Sequence, residues 1–325
     1  MKLIWVLGKG GLLGSAIYDS LLREQQIIYS PKIKFNWTDE SSIMGQFEQS
    51  VNEFANSLTV GQHWHIYWAA GVGTMHSSVP ELLLETKIIT RLTQLIHSNK
   101  ILRSAKGCIN FASSAGAVYA GSTDMIINET SSVSPLNAYG FEKVKQEELL
   151  IAFGRENPGI GIIISRLSTL YGPGQAFGKG QGLIAEIARR SLKNQHASIY
   201  VPFDTIRDYI YSFDAAKLMI ETSNRFSDEL GQTIKIIASE RPTTIAEIIS
   251  MFKNISKRTP RIILSDSYKR NAYNRKVILK SINQPLKFNF AKTSLLIGIS
   301  NVYSFEKQNL KLLNIPQWVQ IRLNP

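Results

Sequence analysis

Cysteine is all but missing from this 325-residue chain, where Cys108 stands alone. A lone cysteine closes no internal disulfide, and its strand-like setting, "GCINFAS", marks it as a buried structural thiol rather than a nucleophile. Long hydrophobic runs are missing too. Stretches such as "IIYS" and "GIIIS" are strand-sized, far below the roughly 20 residues of a bilayer span. "MKLIWVLGKGG" meets glycine too early for a signal-peptide core. These absences lead to the expectation of a cytoplasmic protein with no membrane span. Histidine is sparse, five in all. The "HWH" of residues 63–65 comes without an HExxH pattern or an acidic companion, so no metal site is expected.

Acidic residues are the scarcer charge, 25 against 37 lysines and arginines, for a net charge of +12. That excess admits nucleic acid, an anionic membrane or a phosphate-bearing small ligand as partner. The cations are scattered, and only "SYKRNAYNRKVILK", residues 267–280, gathers them. No zinc spacing or RNA-binding aromatic signature accompanies that cluster, which argues against nucleic acid.

With 44% hydrophobic residues the chain can bury a large core. Its first half alternates short β-branched runs with longer helical patterns. "KLIWVL" is a strand, Leu12 to Arg23 a helix, and "QIIYS" a second strand. A helix capped by Asp39, the strand "HIYWAA", the helix "PELLLETKIITRLTQLIHSN", the strand "GCINFAS", a further helix and the strand "IGIIISRL" follow. This is the pattern of an α/β protein, a Rossmann-type doubly wound parallel sheet. Beyond about residue 168 the texture changes to the glycine-rich "YGPGQAFGKGQG" and shorter mixed elements. We expect a dinucleotide-binding domain over residues 1–167 and a smaller mixed α/β substrate region over 168–325, interleaving left open, with a ligand cleft between them.

Gly8, Gly11 and Gly14 of "LGKGGLLGSAI" lie between the first strand and the first helix. Small residues there permit a tight turn and let backbone amides and a helix N-terminus approach a pyrophosphate. The spacing is GxxGxxG, and Gly10 makes it compatible with GxGxxG as well. An NAD site usually places a carboxylate about 20 residues further on. Strand two ends instead in "YSPKIK", with Ser30, Lys32 and Lys34, which tilts the expectation toward NADP over NAD. The other reading is that these lysines are solvated loop charges.

Tyr139 and Lys143, four apart in "LNAYGFEKVKQEELL", share one face of a predicted helix. A neighbouring ammonium favours the phenolate, so the pair is expected to lower the tyrosine pKa and make a proton shuttle.

The order of motifs resembles the extended short-chain dehydrogenase/reductase family, in particular its nucleotide-sugar epimerase/dehydratase group. The resemblance runs through "GKGGLLG" (Gly8 to Gly14, with Leu12 and Leu13), "AAG" (Ala69, Ala70, Gly71), "FASSAGAVYAG" (111–121), "AYGFEK" (138–143), "RLSTLYGPGQ" (166–175) and "RDYIYSFD" (207–214). It implies an NAD(P)-binding enzyme with a nucleotide sugar as partner. Tyr139 would exchange a proton with the sugar, and Lys143 would hold the nicotinamide ribose. A Ser or Thr that binds the reacting oxygen falls in relatives at the position of Ala115 here, so Ser114 is the candidate, with Ser113 behind it. Thr169 stands where many relatives have an asparagine at the diphosphate. Arg207 matches an arginine for substrate phosphate, its alternative being a salt bridge to Asp208 or Asp214. Asn36 sits where relatives contact adenine, a turn role being the other reading, and Asp214 is expected to be a structural cap.

Gly116 and Ala117 replace the Asp and Glu of 4,6-dehydratases, which excludes that reaction, Glu129 being the first other carboxylate to suspect. An epimerase or a ketoreductase serving surface polysaccharide is expected. The rival class is a non-catalytic redox-sensing regulator of the same fold, and a homodimer is left open.

Overall fold

In the computed structural model, residues 1–71, 77–176, 182–226, 231–265, 276–283 and 292–313 are described. Most of the basic cluster at 267–280 lies outside them. The chain opens with β1 (Lys2–Leu7), α1 (Leu12–Arg23), β2 (Ile27–Tyr29), α2 (Glu40–Asn56) and β3 (His63–Trp68). Next come α3 (Val79–Ser98), α4 (Lys100–Ser104), β4 (Gly107–Ser114), α5 (Ala115–Val118), α6 (Ala138–Glu156) and β5 (Ile160–Leu167). The Asp39 carboxylate caps α2, accepting from the backbone N–H groups of Ser41 at 3.1 Å and Ser42 at 3.3 Å. Asn99 ends α3 and caps α4 through Ile101 and Leu102.

The core strands carry apolar side chains at successive positions because both faces of the sheet are covered. On β1, Leu3, Trp5 and Leu7 point to the face that α2, α3 and α6 cover, and Ile4 and Val6 point to the other. That second face is covered by α1 and by α8 (Ser212–Phe226). Six parallel strands result, in the order β2-β1-β3-β4-β5-β9, where β9 is Gln232–Ile237. The order reverses between β1 and β3, so a crevice opens at their C-terminal ends, the place where such sheets bind ligands. Cys108 on β4 is buried, and burial pushes its thiol up to about 12, as expected of an inert structural thiol.

Beyond Leu167 the chain leaves the large sheet through β6 (Thr169–Tyr171), α7 (Leu183–Leu192), β7 (Ala197–Ile199) and β8 (Ile206–Tyr211). It returns through α8 and β9, then finishes with β10 (Pro242–Thr244), α9 (Ile245–Ser256), β11 (Ile262–Leu264) and α10 (Leu295–Leu313). A three-stranded sheet β10-β8-β6 and a two-stranded sheet β11-β7 form here. Their core includes Tyr171, Ile184, Ile187, Tyr209, Ile248 and Phe252. The C-terminal half therefore contributes to both parts of the molecule.

Candidate active site

The glycine loop is built by steric exclusion. Gly8 has a φ of +86°, and a Cβ there would fall 2.5 Å from the Ala69 carbonyl oxygen; a Cβ on Gly14 would fall 2.0 Å from the Gly8 carbonyl oxygen. The Gly11 N–H closes the turn on Gly8 O at 2.9 Å. A Cβ on Gly10 would meet nothing within 4 Å, and one on Gly11 would make only an ordinary 3.4 Å contact with the Gly8 carbonyl oxygen, so the close approaches single out Gly8 and Gly14. These glycines leave a backbone cradle at the N-terminus of α1, against Ala69 and Ala70, and a dinucleotide's diphosphate fits the chemistry of such a cradle.

From that cradle a line of contacts leads to Tyr139. Gly71 follows Ala70, and a Cβ on it would lie 3.0 Å from the carboxylate oxygens of Glu85 on α3. Glu85 is buried and accepts a hydrogen bond from Lys143 Nζ at 2.6 Å, both side chains being shielded from water. Lys143 also donates to Gln146 Oε1 at 3.0 Å, and its ammonium lies 4.8 Å from the Phe111 ring centre and 5.8 Å from that of Tyr139. Gln146 in turn donates to Thr86, whose hydroxyl donates to Glu142 at 2.6 Å. The helical spacing of four thus places tyrosine and lysine together, as the sequence implies.

The electrostatics differ from the expectation. Burial pushes the Tyr139 phenol up, the Lys143 charge pulls it down, Glu85 pushes it up again and a Ser114 hydrogen bond pulls it down; the outcome lies above the ordinary tyrosine value, not below it. For Lys143, burial pulls the ammonium down but the Glu85 carboxylate and the Tyr139 phenol overrule it, and its pKa lies above the usual lysine range. Glu85 is the residue that the motifs do not mark. Its signal is a charge on the buried stripe of α3, between Leu82 and Ile89.

At the end of β4 the two serines part. Ser114 lies on the Tyr139 side, where its hydroxyl lowers the phenol pKa slightly. Ser113, pointing the other way, donates to Glu147 Oε1 at 2.5 Å. Glu147 also receives Arg166, whose guanidinium reaches Tyr119 Oη at 2.5 Å as well. Ser113 is therefore tied into a buried structural network, and the hydroxyl beside the tyrosine belongs to Ser114.

At the other end of the crevice, Ser30 follows β2, with Lys9 Nζ 3.5 Å from its hydroxyl. Asn36 Oδ1 accepts from the N–H and hydroxyl of Thr38, a local turn. Lys32 is exposed. On the smaller sheet the register sets Thr169 opposite Tyr209 on β8, two residues from Arg207 and on the same face. Arg207 forms no ion pair with Asp208 or Asp214. It donates to Ile206 O, while Asp208 accepts from Ser239 and Arg241, and Asp214 accepts from Thr293 N at 2.7 Å. Asp214 thus ties the first turn of α8 to the residues before α10. No group of His, Cys, Asp and Glu able to hold a metal, and no helix long and apolar enough to cross a membrane, occurs among the described residues.

A parallel sheet with a glycine cradle at its switch point and a Tyr–Lys pair at the neighbouring strand ends defines the class of Rossmann-fold, nicotinamide-dependent enzymes. Residues 4–236 match the NAD dependent epimerase/dehydratase family, and the chain belongs to it. It is 31% identical over 146 residues to a "Putative UDP-glucose 4-epimerase" of Methanocaldococcus jannaschii, covering 45% of this chain and 46% of that protein. It is 27% identical over 192 residues to an "Uncharacterized UDP-glucose epimerase" of Bacillus subtilis (strain 168), covering 59% of this chain and 58% of that one. The chain thus spans about half the length of these curated relatives. Among solved structures, MoeE5 in complex with UDP-glucose and NAD has the same fold, with a TM-score of 0.76 over 95% of this chain and 99% of that one at 19% identity.

Proposed function

We propose that this protein is an NAD(P)-dependent epimerase of a nucleotide-activated sugar. The observation that carries this reading is the unbroken line of contacts from the glycine cradle through Ala69–Gly71 and Glu85 to Lys143, Tyr139 and Ser114. Hydride exchange with the sugar carbon is the chemistry that the bound nicotinamide supplies. Tyr139 moves the proton of the same hydroxyl, Ser114 orients the phenol, and Lys143 fixes the helix face on which it works. Arg207 on β8 and Thr169 on β6, diagonal to one another on one face, suit the diphosphate of the substrate. Lys143 has a third N–H for the nicotinamide ribose beside the two it gives to Glu85 and Gln146.

For the cofactor, Ser30 and Lys32 with Lys9 alongside, and no carboxylate at the end of β2, favour the 2′-phosphate of NADP; NAD is the form bound to MoeE5. Competitive titration with both dinucleotides decides, and tighter NAD binding overturns the NADP preference. The location that goes with this reading is the cytoplasm. We exclude a 4,6-dehydratase because Gly116 and Ala117, in α5, carry no ionisable group. Burial pushes Glu129 up, but hydrogen bonds from Ile236 N at 2.9 Å, Ser281 and Ile282 N at 2.8 Å hold it below the usual carboxylate range and commit it to the sheet edge.

A second reading, a nucleotide-sugar ketoreductase, is favoured by Glu85, whose charge works against a phenolate at Tyr139. The two separate on product and cofactor: an epimerase returns the hydride to the same sugar, whereas a reductase releases oxidised cofactor at each turnover. Assay of UDP, GDP and dTDP hexoses and their keto forms tests the reading. Tyr139→Phe is expected to abolish turnover while dinucleotide affinity stays within about threefold, below about 0.7 kcal/mol. Near-normal turnover in that variant would remove the assignment.

A further inference from the structure

Of the buried charges near the crevice, those of the Glu147–Arg166 network face each other and the backs of Ser113 and Tyr119. Glu129 is saturated by the backbone of residues 236, 282 and 283. Glu85 is different. It is the carboxylate that touches both the strand end where the cofactor cradle continues, at Gly71, and the lysine of the Tyr–Lys pair.

A buried carboxylate at this place has two consequences. It fixes the ammonium: a flexible four-carbon side chain is held at 2.6 Å by Glu85 and at 3.0 Å by Gln146. It also offsets part of that ammonium's pull on Tyr139, whose phenol feels burial most, then Lys143, then Glu85. The groups facing the pair are few. Glu85 comes from α3, Lys143 and Glu147 from α6, and the Ser114 hydroxyl from β4, while Arg166 from β5 pairs with Glu147 at 2.6 Å and neutralises it. Glu142 is turned to Thr86 and Lys145. What remains beside Tyr139 is an ion pair instead of a bare cation.

We propose that Glu85 is the positioning residue of the Tyr139–Lys143 pair: it clamps the lysine beside the cofactor seat and offsets part of its charge, adding to burial in keeping Tyr139 a phenol, a proton donor. Chemistry that starts by giving a proton to a sugar carbonyl is then ready at neutral pH. Chemistry that starts by taking a proton from a hydroxyl needs a more alkaline medium. The inference rests on the reading of Tyr139 as the proton-transfer group.

The test needs neither substrate nor cofactor. Ultraviolet titration of phenolate formation is run on the parent, on Glu85→Gln, and on each with Tyr139→Phe added. The paired differences isolate Tyr139 among the 12 tyrosines of the chain. Loss of a like charge next to the pair is expected to move the Tyr139 ionisation to lower pH by about one unit or more, and the pH profile of turnover with it. If Glu85→Gln is insoluble, Glu85→Asp is read in its place; it keeps the charge, draws it back by one methylene and moves the ionisation the same way by a smaller step. An unmoved titration in whichever variant folds overturns the proposal, since a merely structural Glu85 would leave it unmoved. A fully active Tyr139→Phe enzyme would instead sink the functional reading and leave the titration result standing.

Discussion

Gly10 in the loop after β1 and Gly14 in the first turn of α1 sit four residues apart, and a methyl group means opposite things at the two. Gly14→Ala drives a Cβ to 2.0 Å from a carbonyl oxygen that cannot retreat without opening the turn. It should cost about 1–3 kcal/mol of stability and weaken dinucleotide binding by roughly tenfold or more. Gly10→Ala meets open space and should change neither; calorimetric titration with NAD and NADP reads both. His65 makes a second test at this scale. Burial, with Lys2 and His63 nearby, pushes its imidazole down to about 3 from 6.5. Between those pH values the unfolded chain binds a proton that the native one refuses. Stability is therefore fully present above pH 6.5 and falls by up to about 1.4 kcal/mol per pH unit below it. Urea unfolding at pH 7 and pH 5 should show the slope in the parent and a shallower one in His65→Gln; equal slopes would clear His65 of the effect. The glycines and the Tyr–Lys spacing are legible in sequence because each is a local requirement of turn or helix. Glu85 is not: its partner lies 58 residues away, and a glutamate in a helix reads as surface until α3 and α6 are packed.

Among elements, the longer helices and most strands of the first half fall near where periodicity puts them, whereas β3 starts two residues before "HIYWAA" and ends before its alanines, and the short α4 and α5 leave no periodic signal. Pairing partners are less legible. β9, "QTIKII", looks like any short strand, and only the exposed edge of β5 selects it. β2 is three residues long, and among the described residues no strand lies beyond it. Phe35 and Trp37, from the segment after β2, pack against Trp5, Phe47 and Trp68 in the core under α2. In the smaller sheet, parallel pairing of β6 with β8 sets Thr169 opposite Tyr209 and so diagonal to Arg207 on one face, which their distance along the chain conceals. If that face holds a diphosphate, Arg207→Ala should weaken binding of a nucleoside diphosphate by about 2 kcal/mol, the worth of a charge-assisted hydrogen bond. An unchanged dissociation constant would leave Arg207 a role confined to β8.

At the scale of the whole molecule the two cores share one chain in alternation. α8 covers α1 and the sheet face of Ile4 and Val6, and β9 completes the edge at β5, although both come from the half that builds the smaller sheets. A fragment ending at Leu167 keeps the glycine cradle, Tyr139 and Lys143, yet loses both covers. We expect it to be insoluble or, at best, unable to bind dinucleotide, as gel filtration and NAD titration would show. A soluble, binding fragment would mean that the first 167 residues suffice for a core.

The same pairing sets a timetable. β5, buried along its whole length, is finished at Leu167, and its neighbour begins only at Gln232. At the usual ~5–20 residues per second of synthesis, that gap of roughly 65 residues lasts about 3 to 13 seconds. For that interval the newborn chain carries a bare, sticky β-edge, open to any other strand. Its yield in a cell should therefore depend on what shields that edge while the ribosome is still working.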